Sequence, residues 1–126
     1  MTWTAETLQA IDQADDLKIA PFHADGKTTG TPTWIWAVVV DKRLFVRAYS
    51  GTRSRWYQSA VAQKCGKIHA IGQVFPVGFA AVGDAELNRR IDAAYRQKYA
   101  ASRYMPHMIS PTAQAATVEI RLAEIP

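Results

Sequence analysis

The chain contains 126 residues, of which 48% are hydrophobic and 21% are charged, and its formal net charge is +4. This length and balance predict a single compact domain over residues 1–126 and exclude a disordered or fibrous chain. The longest apolar run, residues 34–40, is far shorter than the ~20 residues of a membrane-spanning helix. No basic region followed by an apolar stretch begins the chain, so we expect no signal peptide and a cytoplasmic location.

The residue types that bind metals are few and scattered. Cys65 is the only cysteine, which excludes an internal disulfide and a multi-cysteine metal site. His23, His69 and His107 show no ligand spacing such as His-x-x-x-His, and zinc needs three or four ligands. We therefore expect no metal site, and the catalytic residues, if there are any, are unknown at this stage.

Hydrophobic periodicity predicts three helices and six strands. Helical spacing of apolar residues predicts helices over residues 4–14, 53–64 and 84–100. Alternating or β-branched segments predict strands over residues 17–23, 32–40, 43–49, 67–71, 74–82 and 116–122, and residues 103–115 are expected to form a loop in which helical turns can occur. We expect Gly66 to end the second helix and Asp84 to cap the third. Strands joined mainly by hairpins indicate a mainly β protein with helices (α+β), built as a small antiparallel barrel.

The second predicted strand, residues 32–40, is apolar on both faces. It has no polar alternation, so both faces should be buried. In so small a protein, a second subunit is a natural way to cover one of them. The strand therefore favours a homodimer.

Basic residues concentrate in one segment of the chain. Lys42, Arg43, Arg47, Arg53 and Arg55 fall within fourteen residues. Ser50, Thr52 and Ser54 lie in the same stretch, where a strand leads into a predicted helix start. Free backbone N–H groups at a helix start, with hydroxyls and guanidinium groups beside them, form a phosphate site. The alternative is a solvated basic surface whose Ser and Thr residues only cap the helix, and the local pattern does not decide between the two.

Aromatic residues surround the basic segment. Trp34, Trp36, Tyr49, Trp56 and Tyr57 either form the walls of a site for a flat ring system or pack in the core. In the later loop, Tyr104, His107 and Ser110 either form a lid or belong to an ordinary surface loop.

Two stretches of this sequence resemble a known superfamily. Residues 30–47 read GTPTWIWAVVVDKRLFVR, and residues 50–56 read SGTRSRW. They resemble the opening hairpin and the phosphate-binding cluster of the flavin- and deazaflavin-binding split β-barrels, which include the pyridoxamine phosphate oxidases and the deazaflavin-dependent nitroreductases. Over nearly all of its length, the chain resembles an uncharacterised bacterial family, a domain of unknown function grouped with those barrels. The segments that carry this second resemblance are residues 14–17 (ADDL), 32–36 (PTWIW), 94–99 (AYRQKY) and 116–118 (ATV).

The resemblance implies a six-stranded split barrel, a homodimer, and FMN or a deazaflavin bound at the subunit interface. By position, it places Arg47 near the phosphate or ribityl chain, and Trp34 and Trp56 beside the ring or the substrate. The phosphate cluster then consists of Ser50, Thr52, Arg53, Ser54 and Arg55, with either Thr52 or Ser54 as the main hydroxyl. The implied activity is a flavin-dependent reduction of a small molecule.

One departure from the superfamily pattern keeps a second hypothesis open. Many relatives have Thr directly after the strand arginine, whereas this chain has Ala48. The alternative is a non-catalytic module of the same fold that binds another small molecule. Nucleic-acid binding through the basic segment ranks last because the net charge is small and acidic residues are plentiful elsewhere.

The phosphate assignment leads to a direct test. Substituting Arg53 and Arg55 by Ala should abolish binding of a phosphate-bearing cofactor, because both guanidinium groups are assigned to the phosphate. The measurement is a fluorescence titration of the purified variant, and an affinity equal to that of the unsubstituted chain would rule out this assignment.

Overall fold

The computed structural model describes residues 3–123. Its helices are α1 (Ala5–Gln13), α2 (Arg55–Gln63), α3 (Ala85–Lys98), α4 (Met105–Met108) and α5 (Pro111–Gln114), and a 3-10 turn at Gly51–Arg53 precedes α2. Its strands are β1 (Lys18–Pro21), β2 (Thr33–Trp34), β3 (Ala37–Val40), β4 (Arg43–Arg47), β5 (Cys65–Ala70), β6 (Gln73–Ala81) and β7 (Thr117–Leu122). No helix in this part of the chain is long and apolar enough to cross a membrane.

The seven strands form one antiparallel sheet in the order β2-β1-β5-β6-β7-β4-β3. Consecutive strands β2 and β3 therefore lie at opposite edges, although only Ile35 and Trp36 separate them. Three Cα steps span at most about 11 Å, whereas seven flat strands would be about 29 Å wide. The sheet must therefore curl until its edges almost meet, and it forms a half-barrel. The expected six-stranded barrel is approximately matched, with seven strands in the sheet where six were predicted.

The seventh strand arises because predicted strand 32–40 is interrupted. The backbone N–H of Ile35 donates to the carbonyl of Leu17, next to β1, whereas the Tyr95 hydroxyl donates to the Trp36 carbonyl from α3. The Lys98 ammonium group also donates to the Ala37 carbonyl, at the free edge of β3. The chain thus leaves one edge of the sheet at Trp34 and joins the other at Ala37.

Both faces of β3 are covered by helices of the same chain. Ala37 packs in a core that includes Leu8 and Ile11 of α1. Val38 packs in a second core that includes Ile91 and Tyr95 of α3. Burial of this strand therefore does not require a second subunit, and the homodimer stays a prediction.

Local capping signals predict the first and third helices well and the second less well. Thr4 and Asp84 cap α1 and α3 through their side chains, as expected from their positions. Helix α2 begins at Arg55 rather than at residue 53, and Lys64, with φ of 64°, is its C-cap. Gly66 does not end the helix, because it already lies within β5.

The lack of a side chain at Gly66 is required by close packing against β1. A Cβ atom at Gly66 would lie 2.6 Å from both the Ala20 carbonyl oxygen and the Pro21 Cα, which are backbone atoms of a paired strand. We expect Gly66→Ala to lower the free energy of unfolding by about 1–3 kcal/mol, since the strands must separate. Urea denaturation measures this change.

The matched control is Gly78→Ala on the neighbouring strand β6. A Cβ atom there would meet its nearest neighbour, the Lys64 carbonyl oxygen, at an ordinary 3.5 Å. We expect its free energy of unfolding to change by less than about 0.5 kcal/mol. Equal effects of the two substitutions would contradict the role given to Gly66.

Candidate functional site

A pocket of about 510 Å³ lies where the Ile35–Trp36 crossing, the end of β4, the start of α2 and the segment around α4 meet. Its volume falls within the usual range for small-molecule sites. Five aromatic side chains line it: Trp34, Trp36, Tyr49, Trp56 and Tyr104. Arg47, Ser50 and Ser54 contribute the strongly polar groups. The pocket thus combines aromatic walls with a few polar groups, which is typical of sites for flat organic ligands.

The structure brings together part of the predicted cofactor site. Trp34, Arg47, Ser50, Ser54 and Trp56 line the pocket. Three members of the predicted set do not line the pocket: Thr52, Arg53 and Arg55. They are exposed, and in the sequence they lie next to the lining residues Ser50 and Ser54. Trp36, which the sequence left open between a site wall and the core, and Tyr104 of the later loop also belong to the walls.

Arg47 lines the inner wall of the pocket, but its side chain has no exposed surface. Its Nε donates to the Thr117 hydroxyl at 2.9 Å, and its Nη2 donates to the backbone and side-chain oxygens of Asn88 at 3.1 and 3.0 Å. Its Nη1 forms an ion pair with Asp92 and donates to the Met108 carbonyl at 3.1 Å. A guanidinium group has five N–H donors, and all five are paired here. No donor remains for a phosphate, so the expected contact between Arg47 and a cofactor phosphate is not available in this arrangement.

Helix α3 holds the Trp36 wall in place. The Tyr95 hydroxyl donates to the Trp36 carbonyl at 2.8 Å, and the Tyr99 ring stacks on the Trp36 indole with the ring centres 4.0 Å apart. Burial raises the pKa of Tyr95 well above its usual range, and burial together with the Asp15 carboxylate does the same to the pKa of Tyr99. Both phenols therefore stay neutral near pH 7 and keep the hydrogen that each donates.

Aromatic residues from two segments meet at the mouth of the pocket. The rings of Tyr49 and Tyr104 meet edge to face, and the His107 ring lies against Tyr49 with the centres 4.0 Å apart. The His107 Nε2 lies 2.6 Å from the Tyr49 carbonyl oxygen. Because a carbonyl only accepts, Nε2 must carry a hydrogen. Tyr104 and His107, from the loop for which a lid and an ordinary surface loop were the alternatives, thus connect α4 with the chain that follows β4.

Free polar groups lie at the start of α2. Ser50 and Ser54 precede the 3-10 turn and α2 respectively, and neither side chain makes a capping hydrogen bond within residues 3–123. Arg53 and Arg55 flank Ser54, are exposed, and form no ion pair with another described residue. The two hydroxyls are therefore available to an anion in the pocket, and the two cations lie next to Ser54 in the chain.

Sequence reasoning missed the partners of Arg47. Asn88 and Asp92 are four residues apart in the predicted helix 84–100, next to its apolar face. An arginine within a strand that packs on that face needs such a partner, and this was the available signal. Met108, which also lines the pocket, has no comparable signal because its placement depends on α4. Within residues 3–123, no three side chains of His, Cys, Asp or Glu come together as a metal site.

Comparisons with known proteins found one matching family and a solved structure with a similar fold. A family model described as an uncharacterized protein conserved in bacteria (DUF2255) matches residues 7–120. No curated protein matches the chain. Among solved structures, the conserved hypothetical protein Rv2991 from Mycobacterium tuberculosis superposes with a TM-score of 0.66 at 13% sequence identity. The match covers 100% of this chain and 82% of that one, and at this identity it shows a shared fold alone.

The Arg47–Asp92 pair should be strongly coupled. We expect Arg47→Met to lower the free energy of unfolding by about 3–5 kcal/mol, because the Asp92 carboxylate then stays buried without its cation. The double variant Arg47→Met/Asp92→Leu should lose much less than the sum of the two single variants. Chemical denaturation of all three variants measures the coupling.

The control is an exposed ion pair that also involves α3, the helix of Asp92. Arg90 pairs with Asp41 at the surface, so Arg90→Met should cost less than about 1 kcal/mol. The assignment is wrong if Arg47→Met destabilises the protein no more than Arg90→Met does.

Proposed function

The chain belongs to the DUF2255 family of bacterial proteins, and we propose that its pocket binds a flavin-type cofactor, FMN or a deazaflavin. The observation that carries this proposal is the set of five aromatic walls around about 510 Å³. A flat tricyclic ring buries large apolar faces and makes offset contacts with such side chains. We assign the ring to Trp34 and Trp56, which precede and follow the basic segment in the sequence.

The phosphate of the cofactor is assigned to the mouth of the pocket. Ser50 and Ser54 line the pocket, and within the described residues neither hydroxyl makes a capping hydrogen bond. The first backbone N–H groups of α2 follow Ser54. Arg53 and Arg55, both exposed, flank Ser54 in the chain and add two cations. The chemistry of these donors fits a phosphate ester. Thr52 is left outside, since it does not line the pocket, and Ser54 is therefore preferred as the main hydroxyl.

The proposed activity is an oxidoreduction of a small molecule. A bound flavin or deazaflavin would supply the electron or hydride transfer, and the protein would supply binding and orientation. Tyr49 and Tyr104 are each about half exposed at the mouth, so they are placed to contact a substrate that approaches the ring.

The alternative is a non-catalytic module that binds another flat small molecule. One observation favours it: Arg47 has no free donor, so the cation nearest the inner wall contributes nothing to an anionic ligand. A ligand held mainly by the aromatic walls would not need one. The homodimer also stays a prediction, with no argument left from the apolar strand.

The first experiment is a titration of the purified protein with FMN and with a phosphate-bearing deazaflavin, followed by ligand fluorescence. We expect a saturable, stoichiometric response to one of them. Trp34→Ala should weaken it about tenfold by removing a half-exposed ring wall. The double variant Arg53→Gln/Arg55→Gln should weaken it at least about tenfold and reduce its dependence on salt.

Two matched variants separate these effects from general ones. Val74→Ala removes an apolar group that is 55% exposed and does not line the pocket, and Arg96→Gln removes an exposed cation from α3. Both should bind like the unsubstituted protein. If neither cofactor binds, the flavin proposal is wrong and the alternative module is favoured.

A further inference from the structure

We propose that Asp92 is a positioning residue for the pocket: its carboxylate orients two donors, Arg47 and Gln114, that together hold the end of α4 against the sheet. Asp92 itself does not line the pocket. The inference concerns how the walls of the proposed cofactor site are held. Its test by FMN binding therefore rests on the proposed function, whereas its test by hydrogen exchange does not depend on that function.

Helix α4 cannot hold its own position. It spans only Met105–Met108, which is too short to be stable without tertiary contacts. Yet Met108 lines the pocket, and so does Tyr104, the residue that precedes the helix. The shape of this wall therefore depends on whatever fixes α4 to the rest of the molecule.

Two consecutive carbonyls at the end of α4 are held by two different donors. The Met108 carbonyl accepts from Arg47 Nη1 at 3.1 Å, and the Ile109 carbonyl accepts from Gln114 Nε2 at 3.4 Å. The last carbonyls of a helix have no partners within the helix, so such contacts complete its end. Arg47 belongs to β4 and Gln114 to α5, so α4 is held from two directions.

Both donors are bound to the same carboxylate. One oxygen of Asp92 pairs with Arg47 Nη1, and the other accepts from Gln114 Nε2 at 2.7 Å. A buried guanidinium adopts the orientation in which its charge is paired. Asp92 thereby sets the direction of both donors, and through them the position of Met108 and Ile109.

The test is amide hydrogen exchange on the ligand-free protein. In Asp92→Asn, one carboxylate oxygen becomes an NH2 group that faces a donor, so one of the two contacts is lost. We expect the amides of residues 105–110 to exchange at least roughly tenfold faster than the variant's loss of global stability accounts for, whereas the amides of the central strands β5, β6 and β7 should accelerate by no more than that loss. Asp41→Asn, which breaks the exposed ion pair with Arg90 on the same helix, is the control and should leave residues 105–110 unchanged.

A milder variant keeps the inference testable if Asp92→Asn does not fold. Gln114→Ala leaves the Arg47–Asp92 ion pair in place and removes the two contacts of Gln114 Nε2, with the Ile109 carbonyl and with the second Asp92 oxygen. It should also speed exchange in residues 105–110, by a smaller factor. Unchanged exchange there in a folded variant, or equal acceleration across the whole sheet, would overturn the positioning role.

Binding of FMN gives the second measurement. If the unsubstituted protein binds FMN, Asp92→Asn should raise the Kd roughly tenfold, and an unchanged Kd would overturn the inference. If the unsubstituted protein does not bind FMN, the proposed function loses its support from this ligand, and the exchange experiment alone decides the role of Asp92.

Discussion

Arg47 carries a full positive charge at the centre of the molecule, with no exposed surface at all. An unpaired charge in such a position would cost several kcal/mol. The protein avoids this cost by pairing every N–H group of the guanidinium with groups from α3, β7 and the end of α4. The requirement to pair this charge therefore determines how three elements pack around β4. The pocket lies directly against that arrangement.

A second constraint comes from the short crossing between β2 and β3. Two residues join opposite edges of a seven-stranded sheet, which the chain allows only if the sheet curls. Trp34, at the end of β2, and Trp36, within the crossing itself, both line the same pocket. The tight curl of the sheet and the aromatic character of the site are thus two consequences of one short segment.

The charges around the pocket are divided into two groups with different roles. The inner cation, Arg47, is paired within the protein and holds the walls. The outer cations, Arg53 and Arg55, are exposed and unpaired within the described chain, so they remain available to a ligand. Apolar walls, with exposed cations adjacent in the chain to the lining residue Ser54, suit a ligand with a flat ring and an anionic tail. This division connects the packing of the fold to the proposed binding of a flavin-type cofactor.

The sequence by itself determined the features that depend on local pattern. These include helix α3 with its Asp84 cap, the hairpin between β3 and β4, and the cluster of hydroxyls and cations before α2. It also identified most of the aromatic walls, because Trp34, Trp36, Tyr49 and Trp56 lie close to that cluster in the chain.

Only the tertiary structure decided the interruption at Ile35 and Trp36, the seventh strand and the partners of Arg47. A strand that is apolar on both faces shows that it is buried, but it does not show which sheet edge each half joins. Likewise, Arg47 and Asp92 are 45 residues apart, and their pairing depends on how α3 packs against β4. Local periodicity records how deeply a residue is buried, whereas the identity of its neighbours is settled when distant segments pack together.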